Sequence, residues 1–565
     1  MKKKIIIIGG VAGGATAATR LRRLNEDAQI ILFERDEYIS FANCGLPYYI
    51  GGVIPDRDDL LVQTAKEMSV RFKLDIRVFS EVLSVDRNNR TVRVRDRVKN
   101  TEYDETYDVL ILSPGAKPIK PALPGIDAAE NLFTLRNIAD TDAIKAFVTE
   151  KKPKTAVVAG GGFIGLEMAE NLCRLGIKVT IVEKLPQVIR PLDFEMAQFL
   201  HRELNRHGVD LILGDGIAAF QDKGRTVCLE SGRTLSCNMA VLAIGVSPEN
   251  TLAKSASLAL GPKGHILTNH HFQTLDAKTG KTVEEIYAIG DAIAVTDLID
   301  GSKTAIPLAW HANRQAHIVA DRISGRAATY KGALGTSVVK VFDLTAAAAG
   351  NSEAQLKAKN IPYLAIHVHR ANHATYYPGA ADISFKLLFS PTDGKILGAQ
   401  AVGRAGTEKR IDVLSTVMKL GGSVYDLPDL EFCYAPPYSS AKDPVNILGY
   451  VAVNALAGDY KFAQYYEIDD VVKKGGLLLD VRTEYEFSAG HIEGARNVPL
   501  NQIRRRIHEL NLPKEMPIYV YCQVGVRAHT ALMILKGMGF TNLYNLSGGY
   551  VTYKIAKYKP SDNAN

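Results

Sequence analysis

An α/β protein of several domains is predicted by three features of the chain. Over residues 1–36, KIIIIGG, VAGGATAATRLRRL and QIILFER read as strand, glycine turn, helix and second strand. The same order recurs at 155–184 in TAVVAGG, GFIGLEMAENLCRLG and KVTIVEK. Beyond about residue 335 the pattern turns to alternating strands, and residues 463–558 form a further αβ unit with its own strand and loop cysteine. Two βαβ starts call for two parallel sheets flanked by helices.

Each element follows from local pattern. KIIIIGG is a continuous apolar run entering a glycine turn, as a parallel strand buried on both faces requires. DVLILSPGAKP (108–118) is a strand closing into a turn, and MAVLAIGVSPEN (239–250) and EEIYAIGDAIAV (284–295) repeat that form. KVFDLTAAAAG, ISFKLLFS and ILGAQAVG alternate like antiparallel strands before helix-forming sequence. The small-residue stretch VNALAGDYKF (453–462) reads as a linker, and LLLDVR opens the last unit.

The two glycine turns are dinucleotide-binding fingerprints of Rossmann-like domains. In Gly9-Gly10-Val11-Ala12-Gly13-Gly14 the outer glycines are present, Val11 replaces the middle one, and Glu34 follows twenty residues after Gly14. A tight turn, open helix N–H groups and a carboxylate for a ribose diol remain in place. The second fingerprint is complete, with Gly160, Gly162 and Gly165 enclosing Phe163 and Ile164, and Glu183 eighteen residues on. Glu183 favours NADH because a carboxylate repels a 2′-phosphate, while the adjacent Lys184 leaves NADPH open.

Bulk composition bounds the rest. The 565 residues suit three or four domains at about 150 residues each. With 68 basic and 61 acidic residues the net charge is only +7, without a basic tail, so nucleic acid is not an expected partner. The excess suits a polyanionic small molecule. Lys2 to Lys4 before four isoleucines is too short for a signal peptide, and no run reaches the length of a membrane span, so a cytoplasmic protein is expected. The six cysteines, at 44, 173, 228, 237, 433 and 522, form no CxxC pair and read as thiols. His367, His369 and His373 are spaced like metal ligands, but no cysteine or carboxylate completes a set nearby in sequence, and no metal is expected.

With the two fingerprints, the ILSPGA and LAIG segments, the IGD motif and SFANCGLPYYIGG, residues 1–450 resemble the flavoprotein pyridine nucleotide-disulfide oxidoreductases. The resemblance implies FAD at the first site and the nicotinamide at the second. It adds Arg35, Asn43, Pro114, Gly115, Gly290 and Asp291 to the flavin site. Cys44 has no second cysteine in its motif, so it must react through a mixed disulfide, a persulfide, a sulfenic acid or a charge-transfer thiolate. This single-cysteine pattern resembles coenzyme A disulfide reductases, NADH oxidases and NADH peroxidases. The coenzyme A branch implies contacts from Thr16, Arg20, Arg23, Ser40 and Asn43, with Arg71 or Lys73, and further ones from His311 and Lys442. It also implies a homodimer through the 335–455 region, with Tyr376 and Tyr434 placed over Cys44 of the partner subunit. A phenol there protonates a leaving thiolate or steadies a sulfur anion.

LLLDVRTEYEFSAGHIEGARNVPL (477–500) and the loop Cys522-Gln-Val-Gly-Val-Arg527 resemble the rhodanese domain. A cysteine between strand and helix gathers loop N–H groups that hold a sulfur anion. Four residues separate Cys522 from Arg527, one fewer than in phosphatases of this fold family, which fits a sulfur site. Arg527 is expected to close the loop and add positive charge.

The chain is therefore similar to coenzyme A disulfide reductase–rhodanese fusions, NADH-dependent persulfide reductases included. The implied domains are a flavin-binding domain (1–118 and 253–330), a nicotinamide-binding domain (119–252), an α+β dimerisation domain (331–452), a linker (453–462) and an α/β rhodanese domain (463–565). The implied activity is NADH-dependent reduction of coenzyme A persulfide, polysulfide or coenzyme A disulfide at Cys44, with Cys522 carrying sulfane sulfur. Two alternatives stay open: an NADH oxidase or peroxidase working through a Cys44 sulfenic acid, and a sulfur carrier delivering a Cys522 persulfide to a partner.

Overall fold

The computed structural model describes residues 3–560. The chain divides into two compact units, residues 3–184 with 215–335, and residues 185–214 with 336–560.

The first unit holds both glycine turns. Its six-stranded sheet runs Gln273–Leu275, Thr282–Ala288, Val109–Leu112, Lys4–Ile8, Gln29–Phe33 and Asp75–Arg77. All pairs are parallel except the antiparallel edge strand Gln273–Leu275. Ile5, Ile6 and Ile7 are buried completely, as their unbroken apolar run requires. Helix Ala12–Leu24 packs against helix Ala309–Ile323, which returns the chain to this sheet. The second fingerprint lies on parallel strands Lys178–Glu183, Thr155–Ala159, Met239–Leu242 and Leu132–Thr134, with helix Phe163–Arg174 against them.

The second unit contains a five-stranded antiparallel sheet in the order Ser337–Val341, Leu344–Gly350, Ile396–Gly403, Asp382–Phe389, Leu364–Ala371. Helices Thr407–Leu420 and Pro444–Ala457 belong to the same unit. A second sheet is wholly parallel, in the order Lys461–Ala463, Leu543–Leu546, Ile518–Tyr521, Leu477–Asp480, Arg496–Asn497.

Two boundary expectations change. Residues 453–457 complete helix Pro444–Ala457, and Lys461–Ala463 is a strand, so 453–462 is not a linker. The alanines that suggested flexibility are good helix formers, and Gly458 in the left-handed region ends the helix. Residues 185–214, expected within the nicotinamide domain, belong to the second unit, where helix Phe194–Arg206 buries Glu195, Gln198 and His201. Residues 561–565 of the expected rhodanese span lie outside the described residues.

Candidate active site

At the first fingerprint Gly9 adopts φ +97°, and a side chain there would collide with the Ser113 carbonyl. A Cβ on Gly14 would strike the Gly9 carbonyl, so the helix start lies directly against the strand end. Gly10 donates its N–H to Glu34 Oε2 at 2.8 Å, and Asp36 donates to Oε1 at 3.1 Å. Burial outweighs these bonds and raises the Glu34 carboxyl.

These residues line a cleft of about 850 Å³. Its wall includes Gly9, Val11, Ala12, Gly13, Thr16, Glu34, Arg35, Ser40, Asn43, Cys44, Pro114, Gly115, Gly290 and Asp291. Gly10 and Gly14 stand behind that wall, buried. Val11 stands where the pattern has its middle glycine, and the close approaches around the turn fall at Gly9, Gly10, Gly13 and Gly14. The donor set and the bare turn fit a dinucleotide. Sequence spacing missed Arg136 in the cleft, where it donates to the Pro114 carbonyl at 3.3 Å and burial lowers its pKa. It belongs to no fingerprint, and only the folded strand ends bring it there.

Cys44 lies in the short 3₁₀ turn Asn43–Gly45 and is exposed. Ser40 holds a left-handed φ of 48°, and its N–H bonds the Gly10 carbonyl at 2.9 Å, tying the cysteine segment to the glycine turn. The protein packed round the thiol pushes its pKa up, and the carboxylates of Glu167 and Asp291 add to that. Glu167 was also missed. It sits one turn into the helix of the second fingerprint, accepts from the Tyr48 hydroxyl at 3.4 Å, and is pushed up to about 7 by burial.

The arginines of the first helix divide their work. Arg20 is held by Asp321 at 2.8 Å, so its expected contact to coenzyme A meets a competing carboxylate. Arg22 is buried on four backbone carbonyls. Arg23 lies over the Phe72 ring at 5.0 Å with Arg71 at 5.5 Å, while Lys73 pairs with Glu26. The structure thus brings Arg23 and Arg71 together and leaves Lys73 to another partner. Thr16 donates to Asn313 at 2.7 Å, and Asn43 reaches the Arg136 carbonyl at 3.5 Å. His311 is buried, with Nδ1 bonded to the Tyr330 hydroxyl at 2.7 Å, beside exposed Trp310 on the same helix.

At the second fingerprint Gly160 has φ +106° under the Ala243 carbonyl, and Gly165 packs on the Gly160 carbonyl. Gly162 caps the helix, followed by Phe163 and Ile164 in its first turn. Glu183 Oε2 accepts from the Gly161 N–H at 2.7 Å, repeating the role of Glu34. Lys184 is occupied by Glu230 at 2.7 Å.

In the second unit the Tyr376 and Tyr434 hydroxyls meet at 3.1 Å, and Tyr376 is 75% exposed. That bond raises the Tyr376 phenol. Their loops are joined by buried Arg410, which donates to the Asn372 carbonyl at 2.7 Å and to Asp443 at 2.9 Å. Lys442 lies over the Tyr450 ring at 5.8 Å.

Cys522 ends strand Ile518–Tyr521 and is buried, with the Gly525 N–H donating to its Sγ at 3.2 Å. Helix Val526–Gly537 starts at the loop's end. Arg527 closes the loop but does not stand as an unpaired charge: it grips both Glu486 oxygens at 2.7 and 2.6 Å and holds that carboxyl down to about 2.

Residues 3–316 match the family model for pyridine nucleotide-disulphide oxidoreductases, residues 336–444 the model for their dimerisation domain, and residues 464–556 the rhodanese-like domain. The chain is 37% identical over 451 residues to the coenzyme A disulfide reductase of Staphylococcus epidermidis, covering 80% of this chain and 99% of that protein. The reduced CoADR-RHD structure from Bacillus anthracis is 52% identical, covers 98% of both chains and superposes with a TM-score of 0.95. An NAD-dependent persulfide reductase from A. fulgidus is 33% identical over 97% of this chain and 100% of its own, with a TM-score of 0.89.

Proposed function

Because the chain belongs to the pyridine nucleotide-disulphide oxidoreductase family, we propose that it is an NADH-dependent reductase of sulfur–sulfur bonds carried on coenzyme A, with Cys44 as the redox thiol and Cys522 as a sulfane-sulfur carrier. A bound FAD supplies two-electron transfer between NADH and the Cys44 sulfur. Gly9, Gly13 and Glu34, with Asp291, would hold it, and Gly160, Gly165 and Glu183 would hold the NADH. The observation that carries the reading is an exposed Cys44 on the wall of the fingerprint cleft, with no second cysteine in its motif, in a chain that also cages a buried cysteine in a rhodanese-like loop.

The Cys44 thiolate attacks the outer sulfur of coenzyme A persulfide, forming Cys44–S–SH and releasing the coenzyme A thiolate. Two electrons and a proton from NADH then cleave the new S–S bond, leaving the Cys44 thiolate and hydrogen sulfide, and a solvent proton converts the released coenzyme A thiolate to the thiol. The sum is NADH, a proton and coenzyme A persulfide giving NAD⁺, coenzyme A and hydrogen sulfide. Coenzyme A disulfide reacts alike and yields two thiols. Arg23 and Arg71 suit the nucleotide phosphates, Ser40 and Asn43 flank the thiol, and Lys442 supplies a further cation. The Tyr376–Tyr434 pair supplies a phenolic proton to the leaving thiolate of a partner subunit's site. At Cys522 a coenzyme A thiolate takes the terminal sulfur of Cys522–S–SH, giving coenzyme A persulfide and the Cys522 thiolate. Of the described helices, none is long and apolar enough to cross a membrane.

The test compares NADH oxidation with coenzyme A persulfide, coenzyme A disulfide, polysulfide and oxygen in the wild type, Cys44→Ser and Cys522→Ser. Sulfur-dependent turnover is lost without Cys44, and polysulfide turnover falls without Cys522. Full reduction without Cys44, or oxygen matching the best sulfur substrate, overturns the reading.

A further inference from the structure

The loop that carries Cys522 is braced by a histidine from another domain. Cys522 and Gln523 turn their carbonyls toward helix Gly549–Ala556, accepting from the N–H groups of Tyr550 at 2.8 Å and Val551 at 3.1 Å. Across the trans peptides the N–H groups that follow those two carbonyls point away from that helix, and the Gly525 N–H donates to the Cys522 sulfur. The helix starts at Gly548-Gly549, both left-handed at φ 68° and 61°. This turn is squeezed from two sides. A Cβ on Gly549 would collide with the Cys522 carbonyl, and one on Gly548 would stand 2.7 Å from His367 Cβ and 2.9 Å from His369 Nε2.

Ser547, fully buried before the turn, is held twice by His367 on strand Leu364–Ala371. The His367 backbone N–H donates to Ser547 Oγ at 2.8 Å, and ring Nδ1 lies 2.8 Å from the same oxygen. Ring Nε2 meets Glu195 Oε1 at 2.8 Å. The ionised carboxylate only accepts, so Nε2 carries a proton and donates to it, while Nδ1 and the Ser547 hydroxyl share the second bond. Glu195 is fixed in turn by Lys386 at 2.6 Å. His369 adds a parallel link to Thr552 at 2.8 Å.

We propose that His367 is a positioning residue for the sulfur site. Through Ser547 it sets the Gly548-Gly549 turn, and so sets the cage around the Cys522 sulfur. The sulfurtransferase centre is then built jointly by the rhodanese-like domain and the dimerisation domain. This rests on the reading of Cys522 as a sulfur carrier.

The test uses the full-length protein, with thiosulfate as sulfur donor and cyanide as acceptor, and with NADH-dependent reduction of coenzyme A disulfide measured alongside. His367→Leu and Ser547→Ala are expected to lower sulfurtransferase kcat about tenfold, with KM for thiosulfate within about twofold and reduction at Cys44 unchanged. His367→Asn, whose amide can bond the Ser547 hydroxyl where Nδ1 does, is expected to restore most of kcat. The rate at which iodoacetamide captures Cys522, read on its peptide by mass spectrometry, should fall in the first two variants and recover in the third. Wild-type transfer in both His367→Leu and Ser547→Ala overturns the proposal. So does an equal loss of both activities that His367→Asn does not rescue. Undiminished transfer in Cys522→Ser overturns the parent reading instead, and the two failures are thereby distinguished.

Discussion

Lys386→Met should invert the pH dependence of the second unit's stability. The Lys386 side chain is 1% exposed, and its ammonium meets Glu195 at 2.6 Å, Glu353 at 2.6 Å and Asp193 at 3.0 Å. Although burial alone would raise them, Lys386 and the attached hydrogen bonds hold Glu195 well below the usual carboxylate range and Glu353 down to about 2. Carboxyls depressed in the folded state stabilise it above their unfolded pKa near 4.5, and that contribution disappears as pH falls through the folded values. Without the ammonium the same carboxylates are buried charges without their central cation. Their folded pKa values then rise above 4.5, so the variant loses stability as pH rises. Breaking such a pair costs about 3–5 kcal/mol. At roughly 2–4 °C per kcal/mol, the unit's calorimetric transition should fall by roughly 6–20 °C at pH 8 and by much less at pH 5. A variant transition within about 2 °C of wild type at pH 8, or a larger loss at pH 5 than at pH 8, would refute this reasoning.

Four further outcomes follow from the geometry. Gly9→Ala drives a methyl group into the Ser113 carbonyl, and the purified protein should lose its flavin absorbance. Glu167→Gln removes a carboxylate that holds the Cys44 thiol up, so the alkylation of Cys44 should reach half-maximal rate at lower pH than in wild type; an unmoved profile contradicts this assignment. Arg410→Met unties the Tyr376 and Tyr434 loops and should lower coenzyme A disulfide turnover about tenfold, while anaerobic reduction of the bound flavin by NADH keeps its rate. With Glu183 on the Gly161 N–H and Lys184 taken by Glu230, kcat/KM should favour NADH over NADPH by about tenfold or more, and the reverse preference would discard that reading.

Much of the architecture was legible because it rests on local pattern. Unbroken runs such as KIIIIGG can be satisfied only by strands buried on both faces. Left-handed turns at Gly9 and Gly160 need glycine, so both fingerprints are visible without a fold. The linker expectation failed because VNALAG has one composition for a flexible tether and for a packed helix, and only burial distinguishes them. The surroundings of His311 were equally hidden: its sequence neighbours say nothing of the Tyr330 hydroxyl that meets its ring.

By itself the sequence determined where the dinucleotide turns lie, that Cys44 has no partner in its motif, and that Cys522 sits in a loop closed by an arginine. Those are properties of short spacings and single backbone conformations. Tertiary structure alone decided which charges reach which thiol. Glu167, one turn into the helix of the second fingerprint, raises Cys44, and Glu486 takes up the charge of Arg527. His367, 155 residues before Cys522, reaches the turn that braces its loop. Electrostatics and hydrogen bonding act over a few ångströms of space, and positions far apart in the chain enter that range only when sheets and helices have packed.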